Sequence, residues 1–163
     1  MKIDIEQTKI EAKRKKKPRV NFIKSLKNKK EHEIDLLFQR ADHDVFEEIN
    51  CLSCANCCKT VGPLFTDKDI ERISKSMKLK PGLFTDKFLR LDEDGDYVLK
   101  SLPCIFLGED NYCSIYEIRP KACKEYPHTG MKGQKKLLKL HLKNHHLCPA
   151  VNEVFNRLID KKQ

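Results

Sequence analysis

The sequence predicts a small, irregular α+β fold with several helices and short β-hairpins. Three observations carry this expectation. Apolar residues recur at helical spacing in separate stretches, strand-like pairs flank turn-rich segments, and eight cysteines lie between residues 51 and 148. Four of these, Cys51, Cys54, Cys57 and Cys58, fall within the eight residues CLSCANCC, and Cys104, Cys113, Cys123 and Cys148 follow at uneven spacing. A buried structural cysteine has no reason to recur every third residue, whereas a soft cation gives one, because thiolates suit zinc, copper(I) and iron–sulfur clusters. The expected fold is therefore organised by metal.

A chain of 163 residues holds one ordinary domain and is short for two. The expected organisation is a basic N-terminal extension over residues 1–30 and a cysteine-cluster domain over 31–163, with its motif core at 50–150. Charged residues make up 35% against 39% hydrophobic, more charge than the roughly 25% of an average soluble domain, and tryptophan is absent. The apolar core is accordingly modest, and ligation has room to supplement it. The first residues, MKIDIEQTKIEAKRKKK, hold no continuous apolar run of the signal-peptide kind, and no stretch approaches the roughly 18 apolar residues of a membrane span. These features predict a cytoplasmic protein with no membrane partner and with reduced cysteines.

Taken in order, residues 1–30 carry a basic block, Lys13 to Lys17, then Arg19, Lys24, Lys27, Lys29 and Lys30, with few apolar residues and Pro18 as an interruption. The segment reads as a solvated, partly helical or disordered extension, or as a phosphate-binding arm for nucleic acid. Ile34, Leu37, Phe38, Ala41 and Val45 then predict a helix that delivers the chain to Cys51. Thr66 with Asp69 three residues on predicts a capped helix with Ile70, Ile73 and Met77 on one face, ended by Pro81 and Gly82. Thr85 is expected to cap a further turn through Phe88. Residues 89–91 and 97–99 flank the acidic turn Asp92–Asp96 and predict a hairpin. An EF-hand loop starting at Asp92 would need Gly where Tyr97 stands and Glu where Pro103 stands, which excludes that calcium motif. A second hairpin is expected between residues 105–107 and 112–116, placing Cys104 and Cys113 near each other. Arg119, Pro120 and Pro127 bracket Cys123 in a compact turn. Pro149, then Val151, Val154, Phe155, Leu158 and Ile159, predict a last helix with Cys148 at its N-terminal cap, where the helix dipole favours a thiolate.

Three uses of the cysteines remain open on residues alone. Structural zinc sites typically draw on two separated CxxC pairs, whereas this chain has one overlapping cluster. Cys51, Cys54 and Cys57 share the CxxCxxC spacing of bacterial ferredoxins, and Cys148–Pro149 repeats their Cys–Pro dipeptide, which points to iron–sulfur. Redox or disulfide use is the third. Adjacent side chains in an extended or turn segment diverge, so Cys57 and Cys58 are expected to serve two centres, dividing eight cysteines into two four-sulfur sites. Lys59, Arg119, Lys121 and Lys124 are placed to offset thiolate charge. His141, His145 and His146 read as surface or hinge histidines, with a ligand role for the first two as the alternative, and His128 reads as structural, with a ligand or proton-shuttle role as its alternative. Glycines are isolated, so no nucleotide-binding loop can be built, and no hydrolase, metalloprotease or kinase signature occurs.

CLSCANCC, PCIFL from Pro103, CSIYEIRPKACKEYP from Cys113 and CPA from Cys148 together resemble the CxxCxxCC, or YkgJ-type, family of zinc- or iron-chelating proteins over about residues 50–150. The resemblance implies that Cys51, Cys54, Cys57, Cys58, Cys104, Cys113, Cys123 and Cys148 are the ligand set, for zinc or iron or a [4Fe-4S] cluster. One branch with a similar cysteine domain includes flagellin lysine N-methylases, which makes an iron–sulfur-dependent enzyme or redox protein an alternative. Those proteins are much longer, and this chain shows no methyl-donor site. The expected function is metal chelation, with a protein or substrate partner unspecified and nucleic acid as a further alternative through the basic arm.

Overall fold

The computed structural model describes residues 3–160; residues 1–2 of the expected extension and 161–163 of the expected domain lie outside the described residues. In chain order the elements are α1 (Ile5–Arg14), α2 (Lys16–Ser25), α3 (Glu31–Phe46), α4 (Cys51–Cys54), α5 (Asn56–Thr60), β1 (Leu64–Phe65), α6 (Asp67–Ser76), α7 (Pro81–Phe88), β2 (Leu89–Leu91), β3 (Tyr97–Leu99), a 3-10 turn (Tyr116–Ile118), α8 (Lys121–Glu125), α9 (Gln134–Asn144) and α10 (Pro149–Asp160). Ten α-helices and one three-stranded antiparallel sheet among the described residues make this an α+β fold, as the sequence predicts. None of these helices is long and apolar enough to cross a membrane. The chain divides into two units, one from residues up to Asn50 with those from Pro127 onward, the other Cys51–Tyr126.

The first unit is helical. α3 and α10 form where the apolar spacing predicts them, and they bury Ile34, Phe38, Ala41 and Val45 from one and Val151, Val154, Phe155 and Leu158 from the other. Phe38 meets Phe155 edge-on, with ring centroids 6.3 Å apart. Each of the larger fully buried side chains, Ile34, Phe38, Val45, Val151, Val154 and Phe155, contributes about 1.5–3 kcal/mol through removal of apolar area from water. The segment 1–30, read as an extension, is built into this unit from Asp4 onward. Asp4 caps α1 by accepting from the Gln7 amide at 3.0 Å, and Thr8, Ala12, Arg19, Phe22 and Leu26 are buried. Apart from Ile10, most of its few apolar residues are spaced to lie inward, while long basic side chains cover the outside. Arg19 is fully buried; its Nη2 donates to the Asn152 carbonyl at 3.3 Å and to Asn156 Oδ1 at 3.0 Å, and its guanidinium lies 5.5 Å from the Phe155 ring centroid.

The second unit carries the sheet, in the order β1–β3–β2, with Leu64 opposite Val98 and Arg90 opposite Val98 on the other side. Phe65, Ile70, Ile73, Phe84, Leu89, Leu99, Phe106 and Ile115 form its core, and Cys104 and Cys113 pack against that core. The predicted Thr66–Asp69 capping box forms: the Asp69 amide donates to Thr66 Oγ1 at 3.2 Å, and the Thr66 amide donates to Asp69 Oδ2 at 3.0 Å. The acidic hairpin turn is organised by Asp92, whose Oδ1 accepts from the amides of Asp94 at 3.0 Å and Asp96 at 2.9 Å.

Three local expectations are corrected. Pro81 does not end α6, which stops at Ser76; it opens α7, where a proline at the first helical position loses no hydrogen bond. Thr85 therefore lies inside α7, its hydroxyl donating to the Pro81 carbonyl at 3.1 Å, and caps nothing. The second hairpin is reduced to a single antiparallel bridge, Leu107 to Cys113, around a turn closed by the Gly108 amide on the Tyr112 carbonyl at 2.8 Å. Tyr116, expected to end the second strand, instead opens the 3-10 turn Tyr116–Ile118, so Cys113 is held by the one bridge and the turns around it.

Candidate metal centre

CLSCANCC folds as two short helices. α4 places Cys51, exposed, and Cys54, half-buried, one turn apart. Ala55 then adopts the left-handed conformation (φ 49°, ψ 14°) and redirects the chain into α5, which carries Cys57 and Cys58. In this helical setting the sulfurs of Cys57 and Cys58 do not diverge, as an extended segment would make them; they lie 4.0 Å apart. Two thiolates on one tetrahedral zinc, with Zn–S near 2.3 Å, stand about 3.8 Å apart. The adjacent pair is thus spaced as co-ligands are.

Cys58 is also the hub for three distant cysteines. Its carbonyl accepts the Cys104 amide at 2.8 Å, and Cys104 in turn precedes the bridge that holds Cys113. Cys123 sits in α8 after Pro120, its amide donating to the Pro120 carbonyl at 3.0 Å. Every pair among Cys58, Cys104, Cys113 and Cys123 is close enough for ionisation of one to oppose ionisation of the other. Burial is the main cause that pushes Cys104 up to about 11 and Cys123 up to about 12, and it raises Cys113 as well; the neighbouring sulfurs add to each. Cys58 goes the other way. The Cys57 thiol hydrogen bond, then its own backbone amide and the charge of Lys59, outweigh burial and bring it down to about 7. Arg119 faces this group and favours the thiolates of Cys113 and Cys123; its guanidinium is stacked 3.9 Å from the Tyr116 ring centroid.

Four partly buried sulfurs, each opposing ionisation of the others, with Lys59 and Arg119 beside them, form a donor set that a soft dication would neutralise. Among the described residues no three His, Cys, Asp or Glu side chains already converge on one point, so the set is gathered but not closed into a tetrahedron. The donor chemistry fits zinc or iron: it is all sulfur, with no oxygen ligands of the kind calcium or magnesium takes.

Beyond geometry, the CxxCxxCC family model, described as a putative zinc- or iron-chelating domain, matches residues 50–149, well over half of the chain. The chain belongs to the CxxCxxCC family. No solved structure matches it. The matched span begins one residue before Cys51 and ends one after Cys148, so it takes in all eight cysteines of this CxxCxxCC protein. Of these, the structure groups Cys58, Cys104, Cys113 and Cys123, with Cys57 beside Cys58; Cys148 is buried at the start of α10 in the other unit.

Two of the histidines, His141 and His145, are corrected from surface or hinge residues to buried structural ones, while His146 is exposed as expected. His141 is fully buried and stacks on Phe38 at 5.2 Å between ring centroids, and its Nε2 donates to Gln134 Oε1 at 2.6 Å. The tautomer follows from Gln134, whose amide nitrogen already donates to the carbonyls of His128, Thr129 and Met131. His145 places Nδ1 2.5 Å from the Leu142 carbonyl and Nε2 3.3 Å from that of Ala12, so both nitrogens face backbone carbonyls.

Two residues with a role at the centre escape sequence reading. Asp69, 1% exposed, closes the cap of α6 and also accepts the Lys121 amide at 3.1 Å, which anchors the start of the Cys123 helix. Arg72 pairs with Asp69 at 2.7 Å and donates to the carbonyls of Ile118 at 3.3 Å and Arg119 at 3.0 Å. The only sequence signal is the cap itself, which is local and says nothing of residue 121.

Proposed function

We propose that this protein binds one zinc or iron ion through Cys58, Cys104, Cys113 and Cys123, and that Cys57 sets the reactivity of Cys58 as the point of metal entry. The mutual influence of those four sulfurs carries the reading. Cys58, with its lowered pKa, is the thiolate available first, and the three raised thiols give up their protons as the ion is bound. A closed four-sulfur zinc would cross-link α5, the Cys104 and Cys113 turns and α8, and so stabilise the second unit outright. Cys51 and Cys54, in the same unit, stand outside this four-sulfur set. The iron–sulfur alternative draws on the CxxCxxC spacing and the Cys148–Pro149 dipeptide.

The test is anaerobic purification followed by metal and acid-labile sulfide analysis, on the wild type and on Cys58→Ser and Cys123→Ser. The expected result is about one zinc or iron per chain without sulfide, lost in both variants together with thermal stability. Stoichiometric sulfide would replace this reading with the cluster, and full metal retention in both variants would overturn the ligand set.

A further inference from the structure

Residues 12–30 contain ten Lys or Arg and no Asp or Glu, and the structure sorts these cations into two sets. Lys15 and Arg19 are spent inside the first unit: Lys15 Nζ pairs with Glu11 at 3.0 Å and donates to Asn156 Oδ1 at 3.0 Å, and Arg19 is buried on Asn152 and Asn156. The others point outward. Lys13, Arg14, Lys16, Lys17 and Lys24, all exposed, are five of the seven residues that line one shallow trough of about 470 Å³ along α1 and α2. No acidic residue lines it. Among the described residues Lys13, Lys16, Lys17 and Lys24 form no ion pair, and Arg14 has only a 3.9 Å contact with Glu11. The carboxylates that would quench the field are occupied elsewhere. Glu6 pairs with Lys9 at 2.6 Å, and Glu11 is held by Asn152 at 2.5 Å and Asn156 at 3.2 Å in the helical core.

The trough also runs along two consecutive helices. α1 and α2 meet at Lys15, whose amide donates to the Glu11 carbonyl at 2.8 Å and whose carbonyl accepts the Arg19 amide at 3.1 Å. Along the two helices Lys13 to Lys24 covers up to about 16 Å at about 1.5 Å per residue. That length of duplex carries about five phosphates on each strand, one for each cation of the trough. A membrane surface would ask for a free apolar face beside the charge. Here the apolar face of α2 is consumed, with Phe22 and Leu26 buried, and Ile10 is the one large apolar side chain of α1 and α2 that is well exposed.

We infer that the α1–α2 trough is a sequence-independent binding surface for the phosphate backbone of nucleic acid, a site separate from the cysteine centre. The side chain of Asn21, which also lines the trough, adds a hydrogen-bond donor for a phosphate oxygen.

The test uses the full chain and fluorescence anisotropy with a 20-base-pair DNA duplex and a 20-nucleotide RNA single strand, between 50 and 200 mM salt. Both probes are expected to bind, the duplex with a log–log salt slope of roughly −4. The triple variant Lys13→Gln/Lys17→Gln/Lys24→Gln should lose roughly 10²- to 10³-fold in affinity at 0.1 M salt and about half the slope. The Lys→Arg variant at the same three positions should keep both, as should Lys75→Gln/Lys87→Gln in the other unit. Circular dichroism and metal content equal to wild type would show that the exposed changes act on binding alone. No binding to either probe, an unchanged slope in the glutamine variant, or tighter binding to vesicles of mixed anionic and neutral phospholipid than to both probes would overturn the inference.

Discussion

Replacing Asp69 with alanine removes a buried carboxylate that serves two helices at once. Its Oδ2 accepts from the Thr66 amide at 3.0 Å and hydroxyl at 2.7 Å, and its Oδ1 accepts from Arg72 Nη2 at 2.7 Å and the Lys121 amide at 3.1 Å. Loss of the capping box costs about 1 kcal/mol, and a hydrogen bond to a charged group contributes about 1.5–3 kcal/mol. Arg72 limits the damage, because its side chain is 37% exposed and can be rehydrated when its partner is gone. The net expectation is a loss of about 2–4 kcal/mol, or a Tm lower by roughly 6–12 °C for a chain of this size. Asp69→Asn, which keeps one acceptor oxygen, should lose about half as much. Thermal unfolding by circular dichroism reads the first effect, and metal content reads the second, since the Lys121 contact anchors the helix that carries Cys123. Asp67→Ala, at an exposed first-turn position of the same helix, should change stability by under about 0.5 kcal/mol. If Asp69→Ala matched Asp67→Ala in both stability and metal content, the coupling of α6 to the cysteine centre through this carboxylate would be wrong.

Two further outcomes follow from the titrating groups. Burial, with a smaller contribution from His128, lowers His141 to about 4, so the unfolded chain takes up a proton near pH 6.5 that the folded chain refuses until about pH 4. Stability should therefore fall as pH drops through that window, by about 3 kcal/mol from His141, with lowered His145 acting in the same direction. Glu11 extends the loss below pH 4.5: burial would raise it, but hydrogen bonds from Asn152, Asn156 and Lys15 bring it down to about 2. Urea unfolding from pH 7 to 4 checks this, and a flat profile would refute the buried neutral imidazole. Metal uptake at pH 7.5 should release about three protons per ion, because Cys104, Cys113 and Cys123 start protonated while Cys58 is largely a thiolate. Calorimetric titration in buffers of different ionisation enthalpy measures that number; release of one proton or fewer would remove those three from the ligand set.

Within the sequence itself, determination was local. The Thr66–Asp69 box, the Pro149 helix start, the Ile34–Val45 stripe and the Asp92 turn each draw their signal from residues a few positions apart, and each formed as read. The CxxCxxCC cysteine pattern likewise points to chelation by itself. What tertiary structure alone decided concerns where side chains go. It placed the Cys57 and Cys58 sulfurs 4.0 Å apart by turning their segment helical, and it joined Cys58 to three cysteines 46, 55 and 65 positions away. It gave Asp69 a second helix to cap, and it buried Arg19 while leaving Lys13, Lys16 and Lys17 outside. A basic run looks uniform in sequence because charge is a property of each residue. Whether a given cation finds a buried acceptor or solvent depends on contacts from Asn152 and Asn156, more than 130 residues on, and no periodicity encodes those.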